Sequence, residues 1–120
     1  MAKFSNFIHA NVAGTLDGLF RERVRQTPDA IAFRHYDRQR EQWQDLTWTQ
    51  MADEVSRWQQ ALTRETFHEG DRVAILMRNC PSWVAFEQAA LGLGLAVVPL
   101  YTDDRPDNTA YILNDSGCKL

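Results

Sequence analysis

The spacing of apolar residues changes along the chain, and each change marks an element. Leu16, Leu19, Phe20 and Val24 fall on one face of a predicted helix over Leu16–Gln26. Thr15 is placed to cap it, and Asp17 sits in its first turn, where a negative charge is favoured. Thr27-Pro28-Asp29 ends it, because the residue before a proline avoids the helical region. Residues 31–36 then alternate, with Ile31, Phe33 and His35 on one side, and residues 43–48 form a second extended segment. The polar stretch 37–42 between them predicts a β-hairpin with a solvent-exposed loop.

A second helix opens at Thr47-Trp48-Thr49-Gln50, which fits a capping box; the alternative cap is Thr49. Met51, Val55, Trp58 and Leu62 make its apolar stripe, and Asp53, Glu54, Arg57 and Gln60 its polar face. Glu69-Gly70-Asp71 is a turn. Residues 72–77 are almost continuously apolar, the pattern of a strand buried on both faces. Asn79-Cys80-Pro81-Ser82 breaks the chain and starts a helix with Trp83, Phe86, Ala90 and Leu93 inward. Residues 95–101 are the next apolar strand. Strand, helix and strand in this span form a βαβ unit with parallel strands. Residues 106–114 read as a further helix, with Pro106 in its first turn and Gly117 just past its end. Cys118-Lys119-Leu120 opens another strand.

Composition narrows the class. In 120 residues, 44% are apolar and 24% charged, as in an ordinary globular protein. The net charge of −3 disfavours general nucleic-acid binding, which needs a basic face. Eleven of the thirteen basic residues are Arg, scattered and mostly next to acids. Two cysteines, Cys80 and Cys118, cannot make a disulfide scaffold, and His9, His35 and His68 lack metal-ligand spacing. Asn6, His9 and Asn11 interrupt the N-terminal region, so no signal peptide is expected. The longest apolar run, residues 89–101, is 13 long and holds Gly92, Gly94 and Pro99. A spanning helix needs about 20 residues. No transmembrane segment and a cytoplasmic location are therefore expected.

Catalytic motifs are absent from the chain. There is no GxSxG, HExxH, EF-hand loop or P-loop. Gly92 and Gly94 are explained by close helix–sheet packing. Ser82 has no activating base near it in sequence, and Asp103, Asp104 and Asp107 fit a solvated loop leading into a helix. The strand ends are more informative. In open α/β sheets, ligands sit beyond the carboxyl ends of the strands. Those ends carry Met77, Arg78, Asn79 and Cys80, and Leu100, Tyr101 and Thr102. Arg78, Asn79, Tyr101 and Thr102 are the candidate site-edge residues; turn and capping roles are their competing explanation.

Several stretches are familiar in order and spacing. Thr47-Trp48-Thr49-Gln50-Met51, the run Gly70-Asp71-Arg72-Val73-Ala74-Ile75-Leu76, the following Asn79, Pro81 and Trp83, the strand Val97-Val98-Pro99-Leu100-Tyr101, and the helix ending Asn114-Asp115-Ser116-Gly117 resemble the adenylate-forming enzymes. The opening from Leu16 to Phe33, with Pro28-Asp29, fits the same family. The subgroup it looks most like is the AMP-forming long-chain fatty acid–CoA ligases. Cys80, the loop Asp103-Asp104-Arg105 and the long polar hairpin depart from the family pattern.

The resemblance implies a partial doubly wound α/β sheet with one βαβ unit, a β-hairpin and flanking helices. It makes residues 1–120 an incomplete N-terminal subdomain of an AMP-binding domain. For the parent enzyme it implies ATP, Mg2+ and coenzyme A as cofactors and a fatty acid as substrate, activated as an acyl-adenylate and then passed to the thiol. It leaves room for peripheral membrane contact by that parent. The family's phosphate loop, ribose-binding acid and mobile lysine match nothing in this sequence. The chain alone is therefore expected to be inactive, with no catalytic, cofactor-binding or metal-binding residue. Its expected partners are the remainder of the parent chain and, through an exposed sheet edge, further copies of itself. A self-sufficient α/β interaction module without catalysis is the alternative. A small flavodoxin-like nucleotide binder is disfavoured, since no phosphate loop follows the first buried strand.

Overall fold

A computed structural model describes residues 6–120. The signal-peptide expectation rests partly on residues 1–5, which lie outside them. The chain divides into two compact units, Met1–Ala52 and Asp53–Leu120.

In the first unit, a short helix α1 (Ala10–Ala13) turns into α2 (Leu16–Gln26). Thr15 caps α2 as expected: its hydroxyl oxygen accepts a hydrogen bond from the Gly18 amide at 2.9 Å. Gly18 is required there, since a Cβ would overlap the Ala13 carbonyl oxygen. Phe20 is buried, whereas Leu16 and Leu19 are exposed. Strands β1 (Ile31–Asp37) and β2 (Gln42–Thr47) form the antiparallel hairpin, pairing Phe33 with Leu46, Arg34 with Asp45, and Tyr36 with Trp43. An irregularity between Ile31 and Phe33 breaks the alternation. Ile31 is therefore exposed instead of sharing the inward side with Phe33 and His35. In the loop, the Asp37 carboxylate accepts from the amides of Gln39 and Arg40.

Helix α3 (Trp48–Leu62) begins at the capping box. The Gln50 amide donates to the Thr47 hydroxyl at 3.2 Å, and the Thr47 amide donates to Gln50 Oε1 at 2.8 Å. Thr47 is therefore the cap. Trp48, expected to close the second strand, instead starts this helix and packs on Phe20 and Phe33. Met51, Val55 and Leu62 of the stripe are buried, and Trp58 is half-buried.

The second unit holds β3 (Arg72–Ile75), α4 (Pro81–Gly92), β4 (Ala96–Pro99) and α5 (Pro106–Ser116). β3 and β4 pair in parallel, Arg72 with Ala96 through Ile75 with Pro99. Both strands are shorter than the apolar runs suggested. Leu76 leaves the ladder and is exposed, and in β4 Val97 and Val98 are half-buried while Ala96 and Pro99 are exposed. Val73 and Ile75, on one face of β3, are buried, while Ala74 on the other face is only half-buried, so the expected burial on both faces is incomplete. In α4, Ala85, Phe86, Ala89 and Ala90 are buried, and Trp58 meets Phe86 edge-to-face at 5.2 Å. Cys80 is the cap residue of α4, and Ser82 lies inside its first turn.

Beyond α5 the chain returns to the sheet. Gly117 takes the left-handed conformation, its amide donates to Asn114 and the Cys118 amide donates to Leu113, a Schellman ending. The Lys119 amide then donates to the Arg72 carbonyl at 2.9 Å, and the Ala74 amide to the Leu120 carbonyl at 2.7 Å. The Asp71 carbonyl accepts from Ala96 of β4, so the neighbouring Arg72 carbonyl faces the other way. Residues 119–120 accordingly lie on the side of β3 opposite β4.

Candidate functional site

Two crossovers leave this small sheet in opposite directions. One runs from β3 through α4 to β4. The other runs from β4 through α5 back across β3 to residues 119–120. Right-handed crossovers then require α4 and α5 to cover opposite faces. Their divergence opens a crevice outside the carboxyl ends of β3 and β4, the place where doubly wound sheets bind ligands.

A cleft of about 500 Å³ lies there, lined by Met77, Arg78, Asn79, Trp83, Pro99, Leu100, Tyr101, Thr102 and Asp103. The structure thus brings Arg78, Asn79, Tyr101 and Thr102 to one place, two from each loop. Trp83, Pro99 and Asp103 line the cleft with them. Trp83, expected on the inner stripe of α4, is half-buried and lines the cleft. Its position three residues after Cys80, in the first turn of the helix, was the available signal. Cys80 does not line the cleft; its Sγ lies 3.5 Å from Met77 Sδ on the exposed side. Tyr101 is 82% exposed, so its ring is free to lie over a bound group.

The polar lining is nearly balanced, with Arg78 as the one cation and Asp103 as the one carboxylate among these residues. Both helices that start beside the cleft begin with a proline, Pro81 and Pro106. Each proline removes a backbone donor from the turn that would otherwise hold a phosphate. At α5, the Asp104 carboxylate occupies the helix start, accepting from the Arg105 amide at 2.8 Å and from Asn108 Nδ2 at 2.9 Å. This explains part of the acidic cluster without a metal. Among the described residues, no three His, Cys, Asp or Glu side chains gather to hold a metal ion. These residues do not by themselves fit a nucleoside triphosphate with its divalent cation. They offer the cleft aromatic surface, an amide, a hydroxyl and a guanidinium.

An open parallel sheet with divergent crossovers over a cleft defines the ligand-binding class of doubly wound α/β proteins. Comparison with known proteins narrows the class. The sequence profile described as AMP-binding enzyme matches residues 20–120. The chain therefore belongs to the AMP-binding enzyme family. It is 35% identical over 75 residues to the long-chain-fatty-acid–CoA ligase FadD13 of Mycobacterium tuberculosis, covering 62% of this chain and 15% of that protein. It is 31% identical over 102 residues to malpibaldin synthetase of Mortierella alpina, covering 85% of this chain and 2% of that protein. Among solved structures, the N-terminal domain of FACL13 from Mycobacterium tuberculosis superposes with a TM-score of 0.76 at 29% identity, over 87% of this chain and 25% of that one. The N-terminal subdomain of Klebsiella oxytoca NpsA superposes with a TM-score of 0.75 at 22% identity, over 86% and 26%. The chain spans between 2% and 15% of the length of these curated relatives. Its α/β fold is that of the N-terminal subdomains of adenylate-forming enzymes. Among the described residues, no helix is long and apolar enough to cross a membrane.

Proposed function

We propose that these residues form the opening part of the N-terminal domain of a long-chain fatty acid–CoA ligase. The whole enzyme would use ATP and Mg2+ to convert a fatty acid to an acyl-adenylate with release of pyrophosphate. Coenzyme A would then take the acyl group and release AMP. The family match over residues 20–120 carries the adenylate-forming part of this reading. The fatty acid part is supported by the FadD13 and FACL13 likenesses. Within such an enzyme, Arg78, Asn79, Tyr101 and Thr102 would form one edge of the site, completed by the remainder of the parent chain.

A second reading is favoured by one observation: the malpibaldin synthetase match covers more of this chain than the FadD13 match does. Under it, the parent activates an amino acid. ATP–pyrophosphate exchange separates the readings. The protein translated from the whole open frame containing these residues is assayed with a long-chain fatty acid and with a mixture of amino acids. Exchange that depends on the fatty acid supports the ligase. Exchange that depends only on amino acids overturns it. The 120-residue chain alone should give no exchange with either.

The isolated chain should also self-associate. Leu76, Tyr111 and Leu120 are exposed apolar residues, and among the described residues no strand pairs with the outer edge of β4. Light scattering of a clean monomer at high concentration would contradict this.

A further inference from the structure

The turn before β3 grips the segment after α5 with two adjacent side chains. Asp71 is buried, and its carboxylate accepts from the His68 amide at 2.8 Å. The other carboxylate oxygen, Oδ1, meets Lys119 Nζ at 3.1 Å, and the His68 Nδ1 lies 3.7 Å from Oδ2. Arg72 reaches the same segment from the opposite face of the strand. Its Nε donates to the Ser116 carbonyl at 2.6 Å, and its Nη1 donates to the Gly70 carbonyl at 3.2 Å. That places a fixed positive charge on the carbonyl end of α5, where it is favoured. Gly117 leaves the room: a Cβ there would stand 3.0 Å from Arg72 Nη2.

The geometry points to Asp71 and Arg72 as positioning residues that set the register of the segment 116–120 against β3. A slip of one residue along β3 would turn every side chain of that segment to the other face of the sheet. Two backbone hydrogen bonds hold residues 119–120 to β3, too few to define a register alone. The two side chains supply the missing definition, Asp71 by charge and Arg72 by one hydrogen bond to the Ser116 carbonyl while its other nitrogen is braced on the Gly70 carbonyl. The segment runs parallel to β3. The inference rests on this geometry and is independent of which acid the parent activates.

Amide hydrogen exchange on the 120-residue protein tests it. The Ala74 and Lys119 amides report the gripped segment, and the Ala96 and Leu100 amides report the β3–β4 pairing. In Lys119→Met, the first pair should exchange about two- to fivefold faster, as for loss of one half-exposed ion pair. In Arg72→Met the increase should be about tenfold, since the hydrogen bond to the Ser116 carbonyl is lost together with the charge at the carbonyl end of α5. Asp71→Asn keeps an acceptor for the His68 amide but loses the charge, and should behave as Lys119→Met does. Lys119→Arg should keep full protection. In every case Ala96 and Leu100 should stay unchanged. Unchanged exchange at Ala74 and Lys119 overturns the inference. So does a rise shared equally by all four amides, and so does a loss of protection in Lys119→Arg. Should Arg72→Met fail to fold, Arg72→Lys, which keeps charge without the guanidinium, gives the same reading.

Discussion

The hairpin of the first unit and the parallel pair of the second are both two-stranded, yet they are held in different ways. The hairpin closes over a short loop, and its solvent face carries its own cross-strand pairs: Arg34 with Asp45, and Tyr36 against Trp43 at 5.6 Å. In the parallel pair the opposed residues are small and apolar, Val73 with Val97 and Ala74 with Val98. Its strands are four residues each and depend on α4, whose Ala85, Phe86, Ala89 and Ala90 are buried. Antiparallel neighbours can be joined locally and stabilised one pair at a time. Parallel neighbours need a crossover helix, so their stability sits in the helix–sheet core. A substitution in that core should therefore cost several times more than any on the hairpin face.

The largest expected effect follows from this. Phe86→Ala removes a buried ring and its edge-to-face contact with Trp58. It should destabilise the second unit by about 3–5 kcal/mol, a large part of the stability of a small domain. Urea unfolding followed by circular dichroism measures it. A loss no larger than that of a hairpin-face substitution would remove the distinction between the two regions.

Gly117→Ala comes next. The left-handed backbone at this position, with φ of 62°, should cost about 1–2 kcal/mol with any L side chain. The added Cβ also crowds Arg72. The loss should appear in the second unit and leave the hairpin amides protected in hydrogen exchange. Equal loss in both regions would show that α5 is not a local element of the parallel pair.

These elements also show what can be read before a structure is known. Local chemistry was legible: Thr15 as a cap, the reciprocal Thr47–Gln50 box, and Gly117 after α5 each work through neighbours a few residues away. The βαβ order was legible for the same reason. Strand ends were not. Leu76 is apolar and looks like a continuation of β3, but its pairing depends on what lies beside it in space. The outward turn of Ile31 needs the bulge, which depends on the partner strand. At the cleft, the strand-end rule located Arg78, Asn79, Tyr101 and Thr102 together, because topology sets which end is open. Trp83 escaped it, because helical spacing put it on the inner stripe of α4, whereas it is half-buried and lines the cleft.

On the hairpin, Trp43→Ala removes a ring that is 66% exposed and touches Tyr36 on its cross-strand side. The loss should be about 0.5–1.5 kcal/mol, well below that of Phe86→Ala. A double-mutant cycle with Tyr36→Ala isolates the pair. A coupling near zero would mean that the rings merely share the face.

The smallest effect belongs to Arg34 and Asp45. The guanidinium donates twice to the carboxylate, at 2.6 and 2.9 Å, but both side chains are well exposed. The hydrogen bonds from Arg34 hold the Asp45 carboxyl below its ordinary pKa. A depressed folded-state pKa stabilises the fold above the unfolded value of about 4, and that contribution is lost as pH falls through the lower folded value. Solvent screening keeps it small. Asp45→Asn should therefore flatten the acid limb of the hairpin's stability curve slightly at low salt and leave it unchanged at high salt. Hairpin amide exchange at several pH values below neutrality reads this directly. A salt-insensitive difference would mean that Asp45 acts through a buried or backbone contact, and the hairpin face would then resemble the core more than this comparison allows.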